Sequence, residues 1–189
     1  MLHAFIDESA RRRSGEATCV YTLAAVLVDD ASAESVRTRM EGLRYGKSSV
    51  VHWRMERPER RALLAAEVAT LPIAGVVAVC LHDAEIRSER ARRMCMVTLL
   101  GELSARGVDR VVFETRQAQD SKDRAVLTGL RKTRAVAPKM AVTWEMPSSD
   151  PALWVADVIA GACSWWLDGD GRFWTPLDPL VTVLDVDVT

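Results

Sequence analysis

Three carboxylates stand in this chain where chemistry needs them. Asp7 closes the apolar run Leu2-His3-Ala4-Phe5-Ile6, and Glu114 closes Arg110-Val111-Val112-Phe113. Asp157 sits within a stretch of small and apolar residues, Leu153 to Ser164. Read as a helix, that stretch gives Asp157 the neighbours Leu153, Ala160, Gly161 and Ser164, a face suited to close packing. A carboxylate there is costly unless it is paired or binds a metal; a salt bridge to one of the many arginines is the competing reading. Two facing carboxylates raise each other's pKa unless a cation lies between them. Three of them, from two strands and a packed helix, suit Mg2+ or Mn2+, hard cations that take oxygen ligands. Two such ions about 4 Å apart activate water and stabilise the leaving oxygen in phosphodiester cleavage. Asp7, Glu114 and Asp157 are therefore the expected catalytic and metal-binding residues.

Weaker candidates surround them. Glu8 alternates away from Asp7 if the strand continues, although a strand-end twist can bring it back. Asp120 reads as the N-cap of a following helix. Asp123 reads as a fourth acid or as a first-turn acid complementing the helix dipole. His52, beside Trp53 in a loop, is a proton-transfer group or phosphate contact, set against a structural role. Arg11-Arg12-Arg13 follows the acidic strand end directly and can grip a phosphate backbone; a solvated hairpin loop is the alternative. Trp53 and Trp174 are core residues or base-stacking platforms. Gly46-Lys47-Ser48 lacks the first glycine of a P-loop and follows a helix, so it is rejected as one. Asp168-Gly169-Asp170-Gly171 lacks the later glutamate of a calcium loop and reads as a turn. Cysteines 19, 80, 95 and 163 form no CxxC pair, which argues for free thiols rather than zinc.

The elements that must position these groups follow from periodicity and punctuation. Strands are expected at 2–7, 18–28, 73–81, 109–115 and 139–146, with a hairpin loop from Ala10 to Glu16. Helices are expected from Asp30 or Ser32 to about Leu43, then near 57–71, 85–105, 121–134 and 151–167. Pro58 suits a first turn and Gly107 a helix end. Two opening strands and later βα alternation predict a mixed five-stranded sheet flanked by helices, with a helical insertion between strands 2 and 3. If the first strand is central, strand order reverses between it and strand 109–115, the place where open α/β sheets bind ligands.

At 189 residues the chain reads as one domain, core 2–167 with a tail from 168 to 189. No run is apolar enough to cross a membrane, and Asp7 and Glu8 interrupt any leader-like segment, so a cytoplasmic location is expected. The 25 basic and 26 acidic residues leave a net charge of −1, which excludes a uniformly basic nucleic-acid coat. That balance conceals a division. Residues through Lys139 carry an excess of six positive charges, and those beyond it an excess of seven negative ones.

In their order along the chain, several segments resemble the "domain of unknown function 3800" family. They are Phe5-Ile6-Asp7-Glu8-Ser9, then Tyr21 to Val28, His52-Trp53, the strand carrying Glu114, and Leu153 to Ala162. The resemblance spans about residues 4–167. It implies a ribonuclease H-like fold and a metal-dependent, nuclease-type site at Asp7, Glu114 and Asp157, with nucleic acid as the partner. Ala10 departs from the family's usual glycine, and the helical insertion is absent from the smallest ribonuclease H domains. The expected function is a metal-dependent nuclease or related phosphoryl-transfer enzyme. The alternative is a non-catalytic module of the same fold that binds nucleic acid or a protein, its carboxylates serving as ion pairs.

Overall fold

The opening strand buries side chains on both faces, and the rest of the fold follows from that. In the computed structural model, which describes residues 1–12 and 18–187, β1 (Leu2–Arg12) sends Phe5 into one core and Ala4 and Ile6 into another. The apolar run after it forms β2 (Thr18–Asp29), antiparallel to β1, and β3 (Ala74–Asp83) is antiparallel to β2. Between them lie α1 (Asp30–Gly42), a 3-10 turn at Trp53–Met55, and α2 (Pro58–Val68) with its proline in the first turn. α3 (Ser88–Ala105) leads to β4 (Arg110–Glu114), α4 (Asp120–Lys132) to β5 (Ala141–Glu145), and α5 (Ala152–Leu167) to the tail.

Helix ends obey the expected chemistry with small shifts. β2 runs on to Asp29, so that residue rather than Asp30 or Ser32 caps α1, its carboxylate accepting the Ser32 N–H at 2.8 Å. Gly107, at φ +75°, ends α3 as foreseen: its N–H bonds the Ser104 carbonyl and the Val108 N–H bonds that of Leu103.

Among the described residues the sheet has six strands, in the order β5-β4-β1-β2-β3-β6. β4 is parallel to β1 and β5 to β4, which makes β1 central and places the strand reversal between β1 and β4. Two expectations about the sheet need correction. The tail contributes a sixth strand, β6 (Val181–Asp185), parallel to β3. It covers the backbone groups that β3 would otherwise leave unpaired at the sheet edge. Gly75 allows the approach, since a Cβ there would lie 2.8 Å from Val181 Cγ2. Ala10, Arg11 and Arg12, expected in the hairpin loop, instead stay in the ladder opposite Tyr21, Val20 and Cys19; the rest of that expected loop, 13–16, lies outside the described residues.

One face of the sheet packs against α1, α2 and α5, the other against α3 and α4. α5 is buried from Ala152 through Ser164, and its small residues let it lie directly on β1 and β2. The Thr22 hydroxyl bonds there to the Ala160 carbonyl and to Ser164 Oγ. Among the described residues no helix is long and apolar enough to cross a membrane.

Candidate active site at the strand reversal

The ladder register sets two of the three carboxylates side by side. Ile6 pairs with Phe113 across β1 and β4, so the next step along both strands reaches Asp7 and Glu114. Phe5 and Val112, two residues earlier, both face the α5 core, and side chains two apart share a face. Asp7 and Glu114 therefore point toward α5, where Asp157 is buried with 8% of its surface exposed. Their electrostatics show that the three acids feel one another. Burial raises the Asp7 pKa well above the usual carboxylate range, and the charges of Asp157 and Glu114 push it further, with Arg92 opposing. Burial and Asp157 likewise raise Glu114, with His52 opposing.

Asp157 does not take the arginine partner that the competing reading required. Its Oδ2 accepts the Trp53 backbone N–H at 2.7 Å and meets His52 Nδ1 at 2.9 Å. That hydrogen bond raises the imidazole pKa. Asp7 Oδ1 accepts the Glu8 N–H at 2.7 Å. Each aspartate thus keeps one carboxylate oxygen that accepts no bond from the described residues. The donor set fits a hard cation in two respects: it is all carboxylate oxygen, and no arginine or lysine among the described residues bonds to it. Among the described residues, however, no three His, Cys, Asp or Glu side chains are already drawn together as a ligand cluster.

Sequence reasoning missed the brace behind Asp157. Trp53 is buried, packs edge-on against Phe173, and lies so close to Gly161 that a Cβ there would meet its ring at 2.2–2.5 Å. Gly161 sits one turn beyond Asp157, so the helix glycine makes room for the indole whose backbone N–H holds the carboxylate. The run of small residues in α5 was the available signal, but nothing local said which side chain would fill the space. Gly161→Ala is expected to cost about 1–3 kcal/mol by overpacking and to weaken any ligand binding at Asp157. Urea denaturation and calorimetry on one preparation check both effects.

The weaker acidic candidates fall elsewhere. Glu8 points to the α3–α4 face, as alternation predicted, and pairs with Arg92 and, at 3.9 Å, with Arg116. Asp123 takes both Arg92 Nε at 3.0 Å and Nη2 at 2.6 Å, plus Arg116 Nη2 at 3.0 Å. It is committed to arginines on the far face rather than joined to the three carboxylates. Asp120 is not the N-cap of α4, because a 3-10 turn at Gln117–Gln119 intervenes. Its carboxylate instead accepts the Arg116 N–H at 2.8 Å and the Thr115 hydroxyl, tying down the loop after β4. Trp174 is buried in the α5 core, stacked on Trp166.

The basic candidates divide as well. Arg11 lies on the Asp7 side of β1, 4.3 Å above the Trp165 ring, with Nη2 2.7 Å from Asp168. Arg12 is exposed, and Arg13 lies outside the described residues. His52 and Asp157 line a groove of about 490 Å³ that continues past Ser9 and Ser164 to Arg11, Arg61 and Trp165.

No family model matches the chain, and no curated protein does. Among solved structures, a chain of the PCNA:RNase HII complex from Archaeoglobus fulgidus is similar over 84% of this chain and 69% of its own length. The TM-score is 0.51 and the sequence identity 15%. With the sheet order above, that likeness shows a ribonuclease H-like fold.

Proposed function

We propose that the chain is a metal-dependent phosphodiesterase of the nuclease type, with Asp7, Glu114 and Asp157 holding Mg2+ or Mn2+. One observation carries this reading. Three acids from β1, β4 and α5 share the strand reversal, where burial and then the charges of Asp157 and Glu114 raise the proton affinity of Asp7, while no arginine or lysine among the described residues bonds to any of them. The likeness to the RNase HII chain supports a nuclease, as does the resemblance of the sequence to the domain of unknown function 3800 family.

A bound divalent cation supplies Lewis-acid stabilisation of phosphoryl oxygens and a more acidic water. The chain's own groups do the rest. Trp53 N–H and His52 fix the Asp157 carboxylate, leaving Oδ1 for a ligand. His52 is half exposed, with Nδ1 on Asp157, and that carboxylate favours its imidazolium form, which carries a second proton at Nε2 beside the groove, where a leaving oxygen can receive it.

Among the described residues no ligand cluster is ready-made, which favours the second reading, a non-catalytic module whose acids are structural. Titration calorimetry with Mn2+ separates the two. The native chain is expected to bind and Asp157→Asn to bind at least about 100-fold more weakly, beyond the usual effect of removing a residue that only supports a ligand. Cleavage of single-stranded, duplex and hybrid substrates should follow the same order. Equal binding by both proteins, or none by the native chain, rejects the metal site.

A further inference from the structure

The groove that leaves Asp157 ends at two arginines sharing one indole. Arg61, on α2, has its guanidinium carbon 5.0 Å from the Trp165 ring centre and 5.4 Å from that of Trp53. Its Nε donates to the Trp53 carbonyl at 3.0 Å and its Nη2 to the Arg54 carbonyl at 3.2 Å, which fixes the plane and leaves Nη1 without a bond from the described residues. Arg11 comes from β1 to the same indole, and Asp168 is the acid it pairs with. Burial first and then the Arg11 charge lower the Arg61 pKa, with Glu56 and Asp157 opposing, so the two cations repel one another here. Holding like charges together beside apolar rings is costly unless anions offset them; Asp168 does so for Arg11, while no carboxylate among the described residues bonds Arg61. Planar, pre-oriented guanidinium donors match phosphate oxygens.

We infer that Arg11 and Arg61, set around Trp165, form a binding subsite for a phosphate of a polynucleotide backbone next to the one cleaved at Asp7, Glu114 and Asp157. This rests on the phosphodiesterase reading of those carboxylates. The subsite reads phosphate rather than base, so it gives affinity without sequence preference. It also gives Arg11 a role set by geometry, and it adds Arg61, which no sequence pattern singled out.

The test is fluorescence anisotropy with a labelled single-stranded oligonucleotide of about 12 nucleotides, a length within the range such grooves cover. It is run in chelator, so that no metal site is involved, over about 50–200 mM salt. The native chain is expected to bind, with affinity falling as salt rises. Arg11→Gln and Arg61→Gln should each weaken binding about fivefold or more and lower the log–log salt slope by about 0.7 for each phosphate no longer neutralised. Arg61→Lys, which keeps the charge but not the fork, should fall between native and Arg61→Gln. Arg11→Gln guards against misfolding, because Arg61 also braces two backbone carbonyls. Arg106→Gln, beyond the far end of α3, should change neither affinity nor slope.

Native affinity and slope in both Arg11→Gln and Arg61→Lys overturn the subsite, as does failure of the native chain to bind. Displacement of the oligonucleotide by inorganic phosphate beyond the effect of matched ionic strength also overturns it, in favour of a free-phosphate site. Asp157→Asn separates the two claims. If the arginine variants lose oligonucleotide binding but neither the native chain nor Asp157→Asn takes up Mn2+, the metal reading fails and the subsite stands. Mn2+ binding and cleavage that survive with unchanged oligonucleotide affinity in the arginine variants give the reverse.

Discussion

Arg92→Met is expected to melt roughly 6–20 °C below the native chain. Arg92 is 2% exposed and bonds Glu8, both oxygens of Asp123, and the Tyr21 hydroxyl at 3.1 Å. Burial alone would raise the Asp123 pKa, but the hydrogen bonds and charges of Arg92 and Arg116 hold it below the usual carboxylate range. Replacing the guanidinium with an apolar chain of similar length leaves a buried carboxylate short of its main partner. Removing one member of a buried pair costs about 3–5 kcal/mol, and at this size each kcal/mol moves the midpoint by about 2–4 °C. The double variant Arg92→Met/Asp123→Leu should recover most of the loss, because it leaves no stranded charge at that position. The effect should also reach the other face of the sheet. Arg92 anchors the Glu8 side chain, and the Glu8 backbone N–H holds Asp7 Oδ1, so Mn2+ binding should weaken along with stability. A single variant that melts within about 2 °C of native would show that the arginine contributes little net stability.

The sequence carried the placement of the candidate residues better than that of the groups that support them. Asp7 and Glu114 were legible because strand ends and alternation are local properties. The apolar runs before them fix the strand, and the period of two fixes the face. Asp157 was legible because its neighbours on α5 are small. The same alternation sent Glu8 to the opposite face, where it meets Arg92 and Arg116. What could not be read were contacts between distant segments. The His52–Asp157 pair joins residues 105 apart, and the Arg92–Glu8 pair joins residues 84 apart. Arg61 is one of several arginines near the start of α2, and only its reach to Trp53 and Trp165 distinguishes it. The sixth strand escaped because Val181–Asp185 alternates weakly and gains its burial only by docking beside β3.

Asp7→Asn should melt above the native chain at neutral pH and lose its response to divalent cations. The native carboxylate stands in an environment that favours its protonated form: burial comes first, then Asp157 and Glu114. For an acid whose folded pKa lies above its unfolded value, the folded state binds more protons between the two. Stability therefore falls as pH rises from about 3.9, the unfolded value, through the raised folded one. His52 acts in the same direction at higher pH. Its folded pKa is raised by Asp157, so the stability it adds is complete below about pH 6.5 and is lost as pH rises through the folded value. The amide in Asp7→Asn keeps an oxygen for the Glu8 N–H while removing the charge. The variant should therefore lose the Asp7 share of the first decline, leaving the smaller share of Glu114, whose pKa burial and Asp157 also raise, and keep the second, a difference that melting curves across pH would resolve. Mn2+ should stabilise the native chain by about 2.7 kcal/mol at a hundredfold excess over its dissociation constant and leave Asp7→Asn unmoved. A variant that instead melts lower at neutral pH, with Mn2+ raising both midpoints equally, would show that the charge at Asp7 serves the fold and not a bound cation.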